Sequence, residues 1–336
     1  HERWGLSAVE EITKNPYALC KHKLVPFIAA DKIAKDCDIT ADNPERVDTV
    51  LLYVLNDYAG SKGHTFLRTA QLPEDCNSFL KDNCEIKGSL NKRHIEAAVS
   101  RCAVKGDVVI EGENVYSKQR YESETVVANI LASRIGRKAR YSQIPKEKVD
   151  DCIAEIQEEL EVELDPLQRE AVEMALCHQT SILAGGAGCG KTTTLRFIIG
   201  VIEKLSALYR LPGCEIALAA PTGMAAKRMM ASTNKEAKTI HKLIEYNPAL
   251  PLLTLNEDHP LAYDFVIVDE LSMVDIDTMA MFLRAVRDDT QLLFLGDVHQ
   301  LPSIGPGKVL HDMIDSGVFP VVALKRSYRH GLRKTI

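Results

Sequence analysis

The segment GGAGCGKT, residues 185–192, has residue types and a spacing suited to binding a phosphate chain. It matches the pattern G-x-x-x-x-G-K-[ST], follows an apolar run and precedes a helical pattern. Glycines allow backbone N–H groups to surround a phosphate at the start of a helix, where the helix dipole favours anions. Lys191 then approaches the β- and γ-phosphates, and the hydroxyl of Thr192 is suited to Mg²⁺. The segment predicts a nucleotide site formed by Gly186, Ala187, Gly188, Cys189, Gly190, Lys191, Thr192 and Thr193.

Two carboxylates directly follow a second apolar run. The run 266–268 leads into Asp269 and Glu270. Ligands of open α/β sheets bind at the carboxyl ends of the strands, and two acids placed there need a cation. We expect Asp269 to hold Mg²⁺ together with Thr192, and Glu270 to accept a proton from the attacking water.

A third apolar run, 292–295, ends in a similar way. It is followed by Gly296 and Asp297, and Gln300 lies three residues further on. An amide at this place is suited to sensing a γ-phosphate, although a glutamine taken alone is more often an ordinary surface residue. The three motifs together predict an ATPase that uses ATP and Mg²⁺.

The elements that must position these residues follow from hydrophobic patterning. After residue 166 the apolar runs TSILAGG, EIALAAP, DFVIVDE and QLLFLGD alternate with helical patterns, which predicts a parallel sheet buried on both faces. The first hundred residues have mostly helical periodicity, and a helix over 91–102 precedes two short strands in DVVIEGENVY, which fits a winged-helix unit. We expect an α/β chain with four parts: a helical region 1–88, a winged-helix-like unit 89–146, an acidic linker helix 147–165 and a motor domain 166–336.

Composition excludes several classes of protein. The 336 residues are 46% hydrophobic and 26% charged, and no stretch approaches the ~18 consecutive apolar residues of a membrane span. The nine cysteines form no C-x-x-C pattern, which argues against a disulfide framework or a zinc site and favours a reducing, cytoplasmic location. The net charge of −6 arises in 147–165, where nine acids accompany one lysine. Nucleic-acid binding by the flanking regions is therefore not excluded.

Several longer segments resemble the RecD-like DNA helicases, superfamily 1 enzymes of the 5′-to-3′ class. They read APTGMAAKRM, VDELSMVD and LGDVHQLPSIGPGKVLHDMIDSG, and LDPLQREAV and TIHKL are also similar to family elements. The resemblance covers nearly the whole chain and implies that 166–336 is a RecA-like P-loop domain with helices on both faces of its sheet. It further implies that Gln168 contacts adenine and that Gln300 and Arg329 contact the γ-phosphate.

The same resemblance assigns single-stranded DNA to Pro221, Thr222, Gly223, Thr239 and His241. Hydroxyl and backbone N–H groups suit phosphate contacts, which position a strand without reading its sequence. From the residues alone, Thr222 fits a helix N-cap equally well, and His241 fits a buried histidine.

The segment 245–259 falls where these helicases insert a short pin that splits the duplex. It carries four leucines, which suit either a wedge against a base pair or packing against a neighbouring domain: Leu250, Leu252, Leu253 and Leu255. In the N-terminal half, NPYALCKHKLVPFIAADKIA resembles the family's helix-hairpin-helix region. Pro26 has no N–H to offer a phosphate there, so we expect this hairpin to act as a scaffold.

The resemblance implies an ATP-dependent 5′-to-3′ DNA helicase or translocase whose partners are single-stranded DNA and 5′-tailed duplex DNA, with no membrane partner. The sequence begins at His1 rather than Met and ends seven residues after Arg329. We therefore expect a fragment that lacks a second RecA-like domain and turns over little ATP by itself. Two alternatives remain open: a nucleotide-responsive DNA-binding or docking module without turnover, and an RNA-directed superfamily 1 motor.

Overall fold

The computed structural model describes residues 8–22, 24–209, 214–250, 254–301 and 303–325. The chain divides into two compact units. The first takes in the described residues up to Ser123 together with Ile304–Gly307, and the second takes in those from Glu124 to Ser303 and from Lys308 onward. Within the described ranges, no helix is long and apolar enough to cross a lipid bilayer.

The first unit contains helices and one small antiparallel sheet. The helices are α1 (Ala8–Lys14), α2 (Ala18–Lys21), α3 (Phe27–Asp36), α4 (Pro44–Tyr53), α5 (Ala59–Ser61), α6 (Leu72–Asn83) and α7 (Lys92–Lys105), and a π-helical segment, Val54–Tyr58, joins α4 to α5. The strands β1 (Leu67–Arg68), β2 (Val108–Glu111) and β3 (Asn114–Ser117) pair in the order β1–β3–β2. Helix α8 (Lys118–Ser133) follows β3 and continues into the second unit. The predicted helix over 91–102 and the hairpin after it are confirmed, whereas the two-residue strand β1 was not predicted.

A buried ion pair ties α3 to α4. The Arg46 guanidinium is 0% exposed, and its Nε lies 2.7 Å from Oδ1 of Asp31. The Tyr17 hydroxyl donates to the same carboxylate oxygen at 2.7 Å, and burial raises the pKa of Tyr17 well above its usual range. Asn43 caps α4 through its side chain, and Pro44 occupies the first helical position, where its missing N–H is not needed. Removing one partner of such a buried pair costs about 3–5 kcal/mol, because the other charge is left buried and unpaired.

The second unit is built on a six-stranded parallel sheet. Its strands are β4 (Thr180–Gly185), β5 (Ile216–Ala220), β6 (Ala237–Thr239), β7 (Phe265–Val268), β8 (Gln291–Gly296) and β9 (Val321–Leu324), in the order β6–β5–β7–β8–β4–β9. The remaining helices are α9 (Lys146–Leu160), α10 (Pro166–Cys177), α11 (Lys191–Leu208), α12 (Gly223–Thr233), α13 (Ile240–Leu243), α14 (Ile276–Ala285) and α15 (Val309–Asp315), and a 3₁₀ turn spans Leu271–Met273.

Alternate residues along each central strand point into two separate cores. Ile182 and Phe294 belong to a cluster with α8, α13, α14 and α15, whereas Leu183 and Leu293 belong to a cluster with α9, α10 and α11. Helices therefore cover both faces of the sheet, which explains why its central strands are continuous apolar runs. The predicted α/β fold, a P-loop parallel sheet with helices on both faces, is confirmed.

The acidic segment forms a helix that packs inside the second unit. Ile153 and Ile156 of α9 are buried in the same core as α11, and Lys204 of α11 pairs with carboxylates of α9 at 2.7 and 2.9 Å. The segment predicted as a linker is thus a packed part of this unit. Pro166 starts α10, and the side chain of Asp165 caps it.

Candidate functional site

The parallel sheet brings all the predicted strand-end motifs to one edge. Strand β8 lies between β4 and β7, so Lys191, Asp297 and Asp269 follow three adjacent strands. Pro221 and Thr239 stand at the ends of β5 and β6, the next two strands along the same edge. The carboxyl edge of the sheet therefore has two halves. One carries the nucleotide motifs, and the other carries the residues assigned to DNA.

The phosphate loop has the backbone that its glycines allow. Gly188 and Gly190 have φ of 79° and 94°, a region that side chains other than glycine rarely adopt, and Gly190 is the N-cap of α11. The ammonium of Lys191 donates to the carbonyls of Gly185 and Gly186, the latter at 3.1 Å. The lysine charge is thus held against the loop, whose N–H groups are suited to a phosphate.

Cys189 fills the space beside the first glycine of the loop. Its side chain is 5% exposed, and a Cβ built on Gly185 would lie 2.5 Å from the Cys189 sulfur and 3.2 Å from the carbonyl oxygen of Leu324. A side chain at 185 cannot fit without moving the loop or β9. Gly185 is therefore required by packing, and Cys189 acts as a small space-filling residue.

Asp269 and Glu270 stand on a sharp turn at the end of β7. The Asp269 carboxylate accepts the Glu270 backbone N–H at 2.8 Å, and the Asp269 N–H donates to the carbonyl of Ala219 in β5 at 2.9 Å. Burial raises the pKa of Asp269 above its ordinary value, and the Glu270 charge adds to the rise, whereas the hydrogen bond from the Glu270 N–H and the charge of Lys191 oppose it. Glu270 itself has φ 55° and ψ 40°, a left-handed conformation that costs a residue with a side chain roughly 1–2 kcal/mol.

The third motif approaches the phosphate loop through Asp297. This residue is 6% exposed, its Oδ1 accepts the His299 N–H at 3.0 Å, and its Oδ2 lies 3.7 Å from a Cβ built on Gly186. The Gln300 N–H donates to the carbonyl of Asp297 at 3.2 Å, which keeps the half-buried Gln300 at the strand end. Asp297 was not among the predicted site residues, although it follows its strand in the same way as Asp269 follows β7.

Gln168 is buried at the start of α10. Its Oε1 accepts the Asp165 N–H at 3.0 Å, and its own N–H donates to the Asp165 carboxylate at 2.8 Å, which forms a reciprocal capping box. A contact with an adenine nitrogen would use the side-chain NH₂ of Gln168. That contact stays a prediction.

The two threonines assigned to DNA both cap helices. Thr222 and Thr239 each accept, through their hydroxyls, the backbone N–H three residues later at 3.2 Å, and so cap α12 and α13. Pro221 is half-buried, and Gly223 is exposed. The capping interpretation of Thr222 is what the structure shows, and a contact of these residues with DNA stays a prediction.

His241 is only partly buried and packs against an exposed aromatic ring. Its imidazole meets the Tyr246 ring edge-on at 5.4 Å between centroids, and Tyr246 is 38% exposed. Met224, 66% exposed, lies on α12 at the neighbouring strand end. This half of the sheet edge thus presents apolar and aromatic groups beside its polar ones.

The predicted pin is a loop closed at its base. The Leu255 N–H donates to the carbonyl of Ile244 at 2.9 Å, and Leu255 packs against the core. Leu250 is 53% exposed, whereas Leu252 and Leu253 lie outside the described residues. One leucine is therefore structural and another is available at the surface. Arg329 also lies outside the described residues.

The residues assigned to Mg²⁺ have suitable chemistry. Thr192 and Asp269 offer hydroxyl and carboxylate oxygens, the ligands that this hard cation prefers. Across the described ranges, no group of three or more His, Cys, Asp and Glu residues forms a cage for a metal ion. Mg²⁺ is commonly held by one or two protein ligands together with phosphate oxygens and water, a role that Thr192 and Asp269 suit.

Two family models match the chain. One is described as the HHH domain of the ATP-dependent RecD2 DNA helicase and matches residues 1–66, and the other is described as an AAA domain and matches residues 168–306. The second match contains every predicted phosphate, metal and DNA residue within the described ranges.

Individual proteins are similar to the chain over part or all of its length. The chain is 24% identical to the ATP-dependent RecD2 DNA helicase of Deinococcus radiodurans over 100% of this chain and 45% of that protein. It is 36% identical to the RecBCD enzyme subunit RecD of Mycolicibacterium smegmatis over 49% of this chain and 33% of that protein. The Pif1 helicase from Candida albicans aligns with a TM-score of 0.37 and 21% identity, over 50% of this chain and 41% of that one. The chain spans less than half the length of either curated relative.

Proposed function

Because the chain belongs to the RecD-like helicases of superfamily 1, we propose that it hydrolyses ATP while moving along single-stranded DNA in the 5′-to-3′ direction. The division of the sheet edge into two halves carries this proposal. The backbone N–H of Asp269, at the end of β7, donates to the carbonyl of Ala219 in β5. Strand β5 leads directly into Pro221, the first of the DNA residues. A change at the hydrolysis site therefore reaches the DNA residues through one strand-to-strand contact.

The nucleotide half supplies positioning and charge. Lys191 neutralises the β- and γ-phosphates, and the loop N–H groups at the start of α11 hold them in place. Glu270 accepts the proton of the attacking water, and Gln300 orients the γ-phosphate from the adjacent strand end. Arg329 adds a second positive charge to the γ-phosphate, and Gln168 contacts the adenine.

Thr192 and Asp269 would hold Mg²⁺. The ion supplies positive charge to the oxygens of the phosphate chain. An adjacent cation also favours the ionised form of the half-buried Asp269, opposing the effect of desolvation on its pKa.

The DNA half supplies contacts that do not depend on base sequence. Pro221, Thr222, Gly223, Thr239 and His241 face the strand from the ends of β5 and β6, and hydroxyl and N–H groups there contact phosphates. The pin acts on a 5′-tailed duplex, where exposed Leu250 lies against the base pair at the fork.

ATP hydrolysis measured with single-stranded DNA and with RNA of the same sequence tests this function. We expect stimulation by DNA and loss of turnover in Glu270→Gln, with ATP still bound. Nucleotide-dependent DNA binding without turnover would favour a docking module, and equal stimulation by RNA would favour an RNA-directed motor. Duplexes with a 5′ or a 3′ tail test the direction of movement. The expectation of slow turnover by these 336 residues stays a prediction, which DNA-stimulated hydrolysis above ~1 s⁻¹ would contradict.

A further inference from the structure

A cavity of about 570 Å³ lies at the end of β4 opposite the phosphate loop. Its lining includes Thr180, the first residue of β4, and Pro320, which directly precedes β9. At about 3.3 Å per residue, the six-residue strand separates this cavity from the phosphate loop by roughly 17 Å. The cavity therefore lies apart from the nucleotide site and from the DNA half of the sheet edge.

The lining of the cavity combines cationic and apolar side chains. Arg134, Arg137 and Lys138 contribute positive charge, and Ile135 and Val318 contribute apolar surface. None of the described residues that line it is an aspartate or a glutamate. A ligand with an anionic part and an apolar part matches this lining.

Arg134 places a buried positive charge beside the cavity. It is 2% exposed and donates to the Thr180 hydroxyl at 3.1 Å, to the carbonyl of Arg287 at 3.2 Å and to the carbonyl of Thr290. These three acceptors are uncharged, and burial lowers the pKa of Arg134 to about 10, although Asp288 favours the charged form electrostatically. The side chain is still protonated at neutral pH. An anion in the cavity would offset the cost of burying this charge.

Arg137 and Lys138 are exposed and held in place by the backbone. Gly136, with φ 73°, turns the chain directly before them, and Lys138 forms a β-bridge with His178. Arg137 lies 3.2 Å from the carboxylate of Asp288, which is 79% exposed. Exposed pairs of this kind contribute about 0–1 kcal/mol, so Arg137 can exchange that partner for a phosphate at little cost.

We propose that this cavity binds the phosphate–sugar backbone of the DNA strand that does not run along the ends of β5 and β6. The inference rests on the proposed function, since strand separation leaves a second strand that needs a place on the protein. The cations suit its phosphates, and the apolar side chains of Ile135 and Val318 suit its sugars. No described lining residue is acidic, and the neighbouring carboxylate of Asp288 is an exposed partner of Arg137.

The test uses variants that change one exposed side chain and leave the buried Arg134 in place. Lys138→Gln removes a phosphate contact, Lys138→Arg keeps the charge, and Lys148→Gln removes an exposed lysine of α9 as the matched control. Binding of a fluorescent 5′-tailed fork and of a single strand of the same length is measured by anisotropy between 50 and 200 mM salt. Across this range the electrostatic screening length passes through ~10 Å.

We expect Lys138→Gln to weaken fork binding about three- to tenfold and to lower the slope of log affinity against log salt by about one. Single-strand affinity and ATP affinity stay within about twofold, and Lys138→Arg and Lys148→Gln behave as the parent protein. Unchanged fork affinity in Lys138→Gln overturns the proposal, as does an equal loss for fork and single strand. If Lys138→Gln weakens binding of an acidic peptide, tested in parallel, and leaves DNA binding unchanged, the cavity belongs to a protein partner instead. If the parent chain binds neither DNA, the proposed function fails as well.

Discussion

The left-handed backbone of Glu270 predicts that the residue placed to assist hydrolysis also destabilises the fold. We consider two substitutions at this position. Glu270→Gln removes the carboxylate and keeps a side chain in the strained conformation, whereas Glu270→Gly removes the carboxylate and the strain together. Any difference in stability between the two variants therefore reports the backbone, because both lack the charge.

The magnitude follows from two opposing terms. A side chain in the left-handed region costs roughly 1–2 kcal/mol, which glycine avoids. Glycine also gives the unfolded chain more freedom, which costs about 0.5–1 kcal/mol. The balance favours Glu270→Gly over Glu270→Gln by roughly 0–1.5 kcal/mol, with a midpoint of about 0.75 kcal/mol. For a unit of this size, of about 200 residues, that corresponds to a higher melting temperature of roughly 1–4 °C.

Thermal unfolding and ATP hydrolysis of the parent chain and both variants provide the assay. We expect hydrolysis to fall at least ~10²-fold in both variants, the usual scale for loss of a general base, with ATP affinity retained. A glycine variant that melts at or below the temperature of the glutamine variant would refute the argument from strain. Hydrolysis that survives both substitutions would remove Glu270 from the mechanism.

Two further substitutions and one loop shortening test other parts of the chain. Lys191→Ala should abolish nucleotide binding, because it removes the ammonium held against the loop; a fluorescent ATP analogue bound with parental affinity would contradict this. Asp269→Asn should end Mg²⁺-dependent hydrolysis and raise the melting temperature at pH 7. The folded pKa of this acid is raised by burial, so its ionised form destabilises the fold above that pKa, and the gain should vanish below about pH 4. Shortening 248–257 to a tight turn should preserve DNA-stimulated hydrolysis and abolish unwinding, and unwinding by that variant would show that the pin is not the wedge.

The central sheet could be predicted because its strands are buried on both faces. A continuous apolar run such as 292–295 followed by Gly and Asp is a strong signal, and four of the six strands were found in this way. The other two strands, β6 and β9, are short and lie at the sheet edges. β9 alternates exposed and buried residues, and β6 is only partly buried. The sequence of β6, AKT, contains no apolar run. The apolar sequence of β9, VVAL, is followed by Lys325 and not by the glycine, proline or acidic residues that follow the four predicted strands, so patterning missed it as well.

The chemistry of the nucleotide half was predictable for a similar reason. A parallel sheet brings strand ends to one edge, so sequence order alone was enough to group Lys191 with Asp269. What could not be predicted is the conformation of single residues. The left-handed turn at Glu270 and the buried charge of Arg134 depend on packing between segments far apart in the sequence.

The position of the strained residue links the two halves of the sheet edge. Asp269 is joined to Ala219 of β5 by a backbone hydrogen bond, and Glu270 is the next residue, where the chain leaves the sheet in a left-handed turn. A residue in a costly conformation persists only where its surroundings determine it, and such residues concentrate at functional sites. Strand β7 of the nucleotide half pairs with β5 of the DNA half, and within the described sheet no other strand pair joins the two halves. The strained residue follows β7 at this pair. Relaxing that turn with Glu270→Gly should loosen the coupling as well as remove the base, whereas Glu270→Gln should remove the base alone. Nucleotide-dependent changes in DNA affinity should then persist in the glutamine variant and weaken in the glycine variant.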